Sequence, residues 1–180
     1  MRALSAFVLL CFFAGGAHAQ LHRPNVHADL GGAATGGGDF ANDGGFFGRL
    51  GFAVPVSEIA FQLDGSAFAH AVTTPCVASS GRHCAPDFPN VASLTADMVI
   101  QLTDPDERHP ITALIGAGPF RIWNSNILAN TSFGAEAGAE MLLWAHARNS
   151  LTVGARIEYV SHTDFGSFWI LPITAGFRFW

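Results

Sequence analysis

Hydrophobic and polar positions alternate with a period of two along most of this chain. In EIAFQLDGSAFAHA, Ile59, Phe61, Leu63, Ala67 and Ala69 share one phase, and Glu58, Gln62, Asp64, Ser66 and His70 share the other. In VASLTADMVIQL, Leu94, Ala96, Met98, Ile100 and Leu102 oppose Ser93, Thr95, Asp97 and Gln101. SFGAEAGAEM sets Phe133, Ala135, Ala137, Ala139 and Met141 against Gly134, Glu136, Gly138 and Glu140. SLTVGARIEYV sets Leu151, Val153, Ala155, Ile157 and Tyr159 against Thr152, Gly154, Arg156 and Glu158. Successive side chains of a strand point to opposite faces, so each segment is predicted to be a strand with one apolar and one polar face. A helix would mix the two sets. Three further strands are predicted over 25–34, 46–54 and 169–179, the last with Trp169, Leu171, Ile173, Ala175, Phe177 and Phe179 in one phase and Arg178 in the other. An eighth, over 111–120, is rich in Gly and Ala and has no clear phase. The expected class is all-β.

The connections alternate in length. Long, polar or glycine-rich links follow the first, third, fifth and seventh predicted strands, and shorter links follow the second, fourth and sixth. This is the layout of an eight-stranded antiparallel up-and-down barrel threaded through a membrane, with both termini on the short-turn side.

Composition narrows the choice. The 180 residues suit one domain, 49% of them are apolar, 13% are charged and the mean hydropathy is +0.30. No apolar run reaches the length of a membrane-spanning helix. Twenty glycines and sixteen phenylalanines argue against disorder and against a helical bundle. All nine basic residues are arginine and the net charge is −5, so the basic stripe of a nucleic-acid binder is absent. The polar phase is sparse, whereas the exterior of a water-washed barrel carries dense charge. Large aromatics sit at strand ends: Phe46, Phe133, Tyr159 and Trp169 toward the long links, Trp144 and Trp180 toward the short ones. Such rings form the girdles of a membrane barrel, which turns the apolar phase toward lipid. The opposite arrangement, a soluble lipocalin-like carrier of a small ligand, would put that phase inside.

Residues 1–19 read as a cleaved signal peptide, with Arg2, an apolar stretch and the small-x-small site Ala17-His18-Ala19. Residues 20–180 then form the barrel domain. Cys11 follows Leu10 rather than the small residue of a lipoprotein box. Cys76 and Cys84 flank VASSGRH, and in an oxidising compartment they are expected to form a disulfide across a surface loop. A zinc site with His83 would need a second ligand pair that the sequence lacks.

The closing segment WILPITAGFRFW and the pair FGAEAGAEM and LTVGARIEYV resemble the small outer-membrane barrels of the OmpA/OmpX type, and the resemblance covers most of 25–180. It implies residence in the outer membrane of a Gram-negative-type cell, contact with lipid and lipopolysaccharide, and a C-terminal strand read by the barrel-insertion machinery. Phe177 and Phe179 keep the phase of that terminal signal, and Trp180 follows as one extra residue.

The inward phase then holds Asp29, Asp64, Asp97, Glu136, Glu140 and Glu158 against Arg49, Arg156 and Arg178. An eight-stranded barrel is just wide enough for side chains to fill, and desolvated carboxylates must be paired or neutralised. Arg156 and Glu158, about 7 Å apart along one face, are expected to bridge. Arg178 and Asp29 are expected to meet across the closing seam. The remaining acids are left to protonation, water, His27 or His70. A filled lumen argues against a wide pore. The expected role is structural or interactive at the cell envelope, as a monomer, without catalysis, cofactor or metal. Phe40, Phe88, Trp123, Ile127 and Leu128 in the long links are candidate contacts for an extracellular ligand or protein. His83, His109 and His146 read as solvated. One enzyme reading stands beside this. Some eight-stranded outer-membrane barrels deacylate lipid A with a histidine, a serine and a nearby carboxylate, and Ser161, His162 and Glu158 lie near the outer end of the seventh strand. That family's His-x-Ser-Asn arrangement is absent, because His162 precedes Thr163, Asp164 and Phe165.

Overall fold

The structure, a computed structural model, describes residues 23–37, 43–57, 59–70, 90–104, 107–123, 129–146, 148–163 and 166–180. These form eight strands: β1 (Asn25–Gly36), β2 (Asp43–Val56), β3 (Ile59–His70), β4 (Asn90–Gln101), β5 (Ile111–Trp123), β6 (Asn130–His146), β7 (Asn149–Thr163) and β8 (Gly166–Phe179). Each pairs antiparallel with its neighbours in sequence, and β1 closes on β8 from Val26↔Phe179 to Gly36↔Trp169. Closure leaves no unpaired edge, which a barrel in lipid requires. The signal peptide, the cysteine loop and most of the long links, including Phe40, Phe88, Ile127 and Leu128, lie outside the described residues.

The strands run past the predicted bounds over apolar residues, as at 142–145, and over polar ones or glycine, as at 35–36, 43–45 and 161–163. β6 reaches His146 and pairs back as Ala145↔Ser150 and His146↔Asn149, so the expected link over 145–150 shrinks to 147–148. A register shift between Leu142 and Trp144 absorbs the extra residue there. The phase of β5 is settled by packing: Leu114, Phe120 and Ile122 are buried inside, while Ile115 faces out. Two prolines interrupt the ladders because their rings offer no N–H. The β4–β5 pairs skip from Ser93↔Phe120 to Ala96↔Ala117 beside Pro119, and the β7–β8 pairs skip from Ala155↔Ile173 to Glu158↔Ile170 beside Pro172. At the end of β1 the Trp169 ring lies across Gly36, where a Cβ would overlap it. An aromatic thereby covers a glycine that buries little surface of its own.

The barrel is inside-out relative to a soluble domain. Leu30 is 73% exposed, Leu63 54% and Ile157 48%, while Asp64, Asp97 and Arg156 are buried within. The lipocalin-like reading is therefore corrected: the apolar phase that would line a ligand cavity forms the outer wall instead. The lumen is layered. Toward the long links it is filled by a cluster that includes Phe47, Phe68, Phe120, Ile122, Phe168 and Ile170. Toward the short turns a smaller cluster of Ala60, Val99 and Leu114 packs on one side. The charged side chains lie between.

Candidate functional site

The charged layer is built from inward positions of seven strands, and arginines reaching across the lumen hold it together. Glu136 and Glu158 are direct cross-strand partners, an arrangement that by itself repels. Arg49 resolves it. Its Nη2 donates to Glu136 Oε2 at 2.8 Å and to Glu158 Oε1 at 2.7 Å, and its Nε lies 3.6 Å from Asp64. Arg156 Nη1 donates to Asp64 Oδ2 at 3.0 Å, and its Nη2 donates to Glu140. Arg178 donates to Glu140 and, at 3.5 Å, to Asn25 Oδ1. Asp64 also accepts from Gln62 at 2.7 Å and lies 2.9 Å from His27 Nε2. Thr95 donates to Glu136. The nearest cation to Asp97 is Arg156, at 3.9 Å.

Space for these groups comes from glycine. Gly51 faces Asp64, Gly116 faces Asp97, Gly176 faces Asp29, Gly154 faces Glu140 and Gly138 faces Arg156 across their ladders. A Cβ at Gly51 would overlap the Asp64 carboxylate and the His27 ring, and one at Gly116 would overlap the Asp97 carboxylate. These inward glycines are thus the complements of the charged side chains opposite them.

Oxygens of Asp64, Asp97 and Glu136 lie within 4.8 Å of one another, a spacing that suits a cation. The guanidinium groups already serve it: Arg156 Nη1 is 3.0 Å from Asp64 and 3.6 Å from Glu136. The donor set therefore fits arginine rather than a metal ion.

All nine charged residues expected inside are buried there, but their pairing differs from the expectation. Arg156 does not bridge to Glu158, whose partner is Arg49, and Arg178 meets Glu140 and Asn25 rather than Asp29. His27, not His70, meets Asp64; His70 packs edge-on to Phe68 at 4.8 Å. His109 is not simply solvated, since its Nδ1 lies 3.1 Å from the Leu142 carbonyl. His146 is exposed and stacks on Trp144 with centroids 5.9 Å apart. The trio Ser161, His162 and Glu158 is not assembled around Glu158. That carboxylate points into the barrel onto Arg49, whereas the Ser161 hydroxyl donates to the Phe133 carbonyl at 3.5 Å on the outer side. Of the aromatic girdle, Phe46, Phe133 and Tyr159 stand exposed on the wall, and Trp169 and Trp144 are half-buried. At the C-terminal end Phe177 and Phe179 stack at 6.3 Å, and the Trp180 N–H donates to the Arg148 carbonyl at 3.2 Å. Trp123, the last residue of β5, is half-exposed.

No protein-family model matches the chain, and no curated protein matches it. Solved structures do. Neisserial surface protein A superposes with a TM-score of 0.72 over 92% of this chain and 99% of that one, at 14% identity. Ail, the attachment invasion locus protein of Yersinia pestis, in complex with the heparin analogue sucrose octasulfate, gives 0.54 over 87% and 99%, at 18% identity. A major outer membrane protein from Thermus thermophilus gives 0.54 over 88% and 99%, at 9% identity. The chain has the fold of the small outer-membrane barrels. At these identities the likeness is one of fold alone.

Proposed function

We propose that this protein is an integral outer-membrane barrel with a structural or surface-interaction role at the cell envelope, a plugged interior and no catalysis. The observation that supports it most strongly is the wall. Large apolar side chains such as Leu30, Phe46, Leu50, Phe133 and Ile173 face outward on every side, around a lumen of buried charge. In water that exterior would be an aggregation surface; in a bilayer it is the required one. The fold's likeness to outer-membrane proteins supports the same placement. The adjacent ends of β1 and β8 lie with the short turns, which favours both termini on the periplasmic side. In this reading residues 1–19 direct export, Cys76 and Cys84 close the longest loop, Phe177, Phe179 and Trp180 present the insertion signal, and the barrel works as a monomer.

The long links are the candidate contact surface, through Phe40, Phe88, Trp123, Ile127 and Leu128. Their charge separates this chain from the Ail complex with a sulfated sugar. Within the links themselves Asp39, Asp87 and Asp164 outnumber Arg82, so a polyanion is not the ligand that the links favour. A neutral or basic partner fits better.

The test is gel mobility of the protein refolded in detergent, with and without boiling. A heat-dependent shift, together with loss of solubility when detergent is removed, is expected. Equal mobility and good solubility in plain buffer would overturn the membrane reading. Incubating the folded barrel with lipopolysaccharide is expected to release no acyl chains; release that disappears in His162→Ala would replace the non-enzymatic role with hydrolysis.

A further inference from the structure

The outward phase of the eight strands is apolar or neutral with a single exception among the described residues. Arg121, near the loop end of β5, stands exposed on the wall. It is paired in register with Ala92 on one side and Thr131 on the other, so no acidic side chain faces it from either neighbouring strand. Nor does it make an ion pair or hydrogen bond with any described residue. Two residues below it toward the barrel middle lie Pro119 and, across the ladder, Phe133. Phe133 belongs to the aromatic band that marks where acyl tails give way to headgroups. Arg121 therefore sits one strand repeat beyond that boundary. Below the band one row of the wall is small, because Ala96, Ala117 and Ala135 face each other in register, before Met98 and Ile115 follow.

On the reading that this barrel spans the outer membrane, we infer that Arg121, with the Thr131 hydroxyl beside it, holds the phosphate of an outer-leaflet lipid while that lipid's acyl chains pass over the alanine row beneath. The chemistry is specific to arginine at this depth. A guanidinium presents paired N–H donors that match two phosphate oxygens. A cation on the lipid face costs free energy that falls toward zero only near the interface, and an anionic headgroup offsets what remains. The small side chains below leave room for tails to approach the wall closely. An acidic partner on a neighbouring strand would have made Arg121 a structural ion pair; with Ala92 and Thr131 in those places, the guanidinium is left to a ligand.

The test uses the folded, full-length barrel in detergent, titrated with lipopolysaccharide whose lipid A is phosphorylated or enzymatically dephosphorylated. Retained lipid is read by native mass spectrometry, and stability by the temperature at which the folded gel band is lost. The wild-type protein is expected to retain the phosphorylated form about tenfold better. Arg121→Gln should abolish that preference, and Arg121→Lys should keep part of it. A preference unchanged in Arg121→Gln, or a wild-type protein indifferent to phosphate, overturns this inference while the barrel still shows its heat-dependent shift. A protein that shows no such shift and needs no detergent overturns the membrane reading itself, and this inference with it.

Discussion

Two layers of the same lumen fill the same cross-section by opposite means. Toward the long links, Phe47, Phe68, Phe120 and Phe168 meet with Ile122 and Ile170, and each is at most 3% exposed. In the middle, Arg49, Arg156 and Arg178 are threaded among six carboxylates. The apolar layer is held by dispersion and exclusion of water, which depend on volume and are indifferent to direction. The charged layer is held by hydrogen bonds that depend on direction, with Arg49, Arg156 and Arg178 as the donors, while the buried Asp97 carboxylate makes no hydrogen bond with any described residue. Their order along the axis has a consequence. A dry aromatic layer between the network and the outside removes the water that would otherwise satisfy a lost partner. The difference between the layers should therefore appear as a difference in how they fail.

The largest effect is expected in the charged layer. Arg156→Met removes the donor shared by Asp64 and Glu140, leaving Asp64 to Gln62 and His27 and Glu140 to Arg178 in a low-dielectric interior. We expect a loss of about 4 kcal/mol, within the range for breaking a buried pair, measured by urea unfolding in phospholipid vesicles with tryptophan fluorescence as the probe. Adding Glu140→Gln should recover about 1–3 kcal/mol of it, the coupling of contacting residues. A single variant within about 1 kcal/mol of wild type would mean that water reaches the network after all.

Next comes the apolar layer. Phe120→Ala opens a cavity beside Phe68 and Phe168 and should cost about 3 kcal/mol in the same assay. Here the contrast sharpens, since pairing Phe120→Ala with Glu140→Gln should give additive losses within roughly 0.5 kcal/mol. Strong coupling between the two would show that the layers form one unit.

The glycines give a third, smaller test. Gly116→Ala places a methyl group where the Asp97 carboxylate lies and should cost about 1–3 kcal/mol as an overpacked site. Asp97→Ala in the same chain should return part of that loss, the remainder coming from the Ala96 carbonyl, which would lie 2.7 Å from the added methyl group. If the double variant were no better than the single one, the glycine would be needed for its backbone rather than for the space it leaves.

These layers differ also in how far they can be read from sequence. The strands and the charged positions are legible because alternation marks them: Leu63 and Asp64 differ in polarity, so their faces separate. The apolar layer is not legible. In FWIL, Phe168 and Ile170 point in while Trp169 and Leu171 point out, and with both faces apolar the period disappears. In β5 the contrast is reversed, with Phe120 and Ile122 inward and Arg121 outward, and this leaves Arg121 looking like part of a loop. Pairing within the network is hidden for another reason. Arg49 bonds to residues 87 and 109 positions away across the lumen, whereas pairing along one strand or at the seam assumes short reach. One signal in the sequence does bear on it. Inward glycines lie opposite inward charges on adjacent strands, so Gly51 points to Asp64 once the hairpin register is set.

The boundary between the layers offers the smallest and most discriminating effect. Ser66 and Ser93, cross-strand partners on β3 and β4, share a 2.7 Å hydrogen bond between their hydroxyls. Phe68 and Val91 lie on the loop side of this pair, and Asp64 and Thr95 lie on the charged side. Ser66→Ala leaves the Ser93 hydroxyl without its partner and should cost about 1 kcal/mol. Ser66→Ala combined with Ser93→Ala removes both polar groups and should lie close to wild type, because at this level the lumen is already turning apolar. If the double variant instead lost about twice the single loss, the two hydroxyls would be serving the charged layer separately, and the border between dispersion and directed bonding would lie two residues nearer the long links, at Phe68 and Val91.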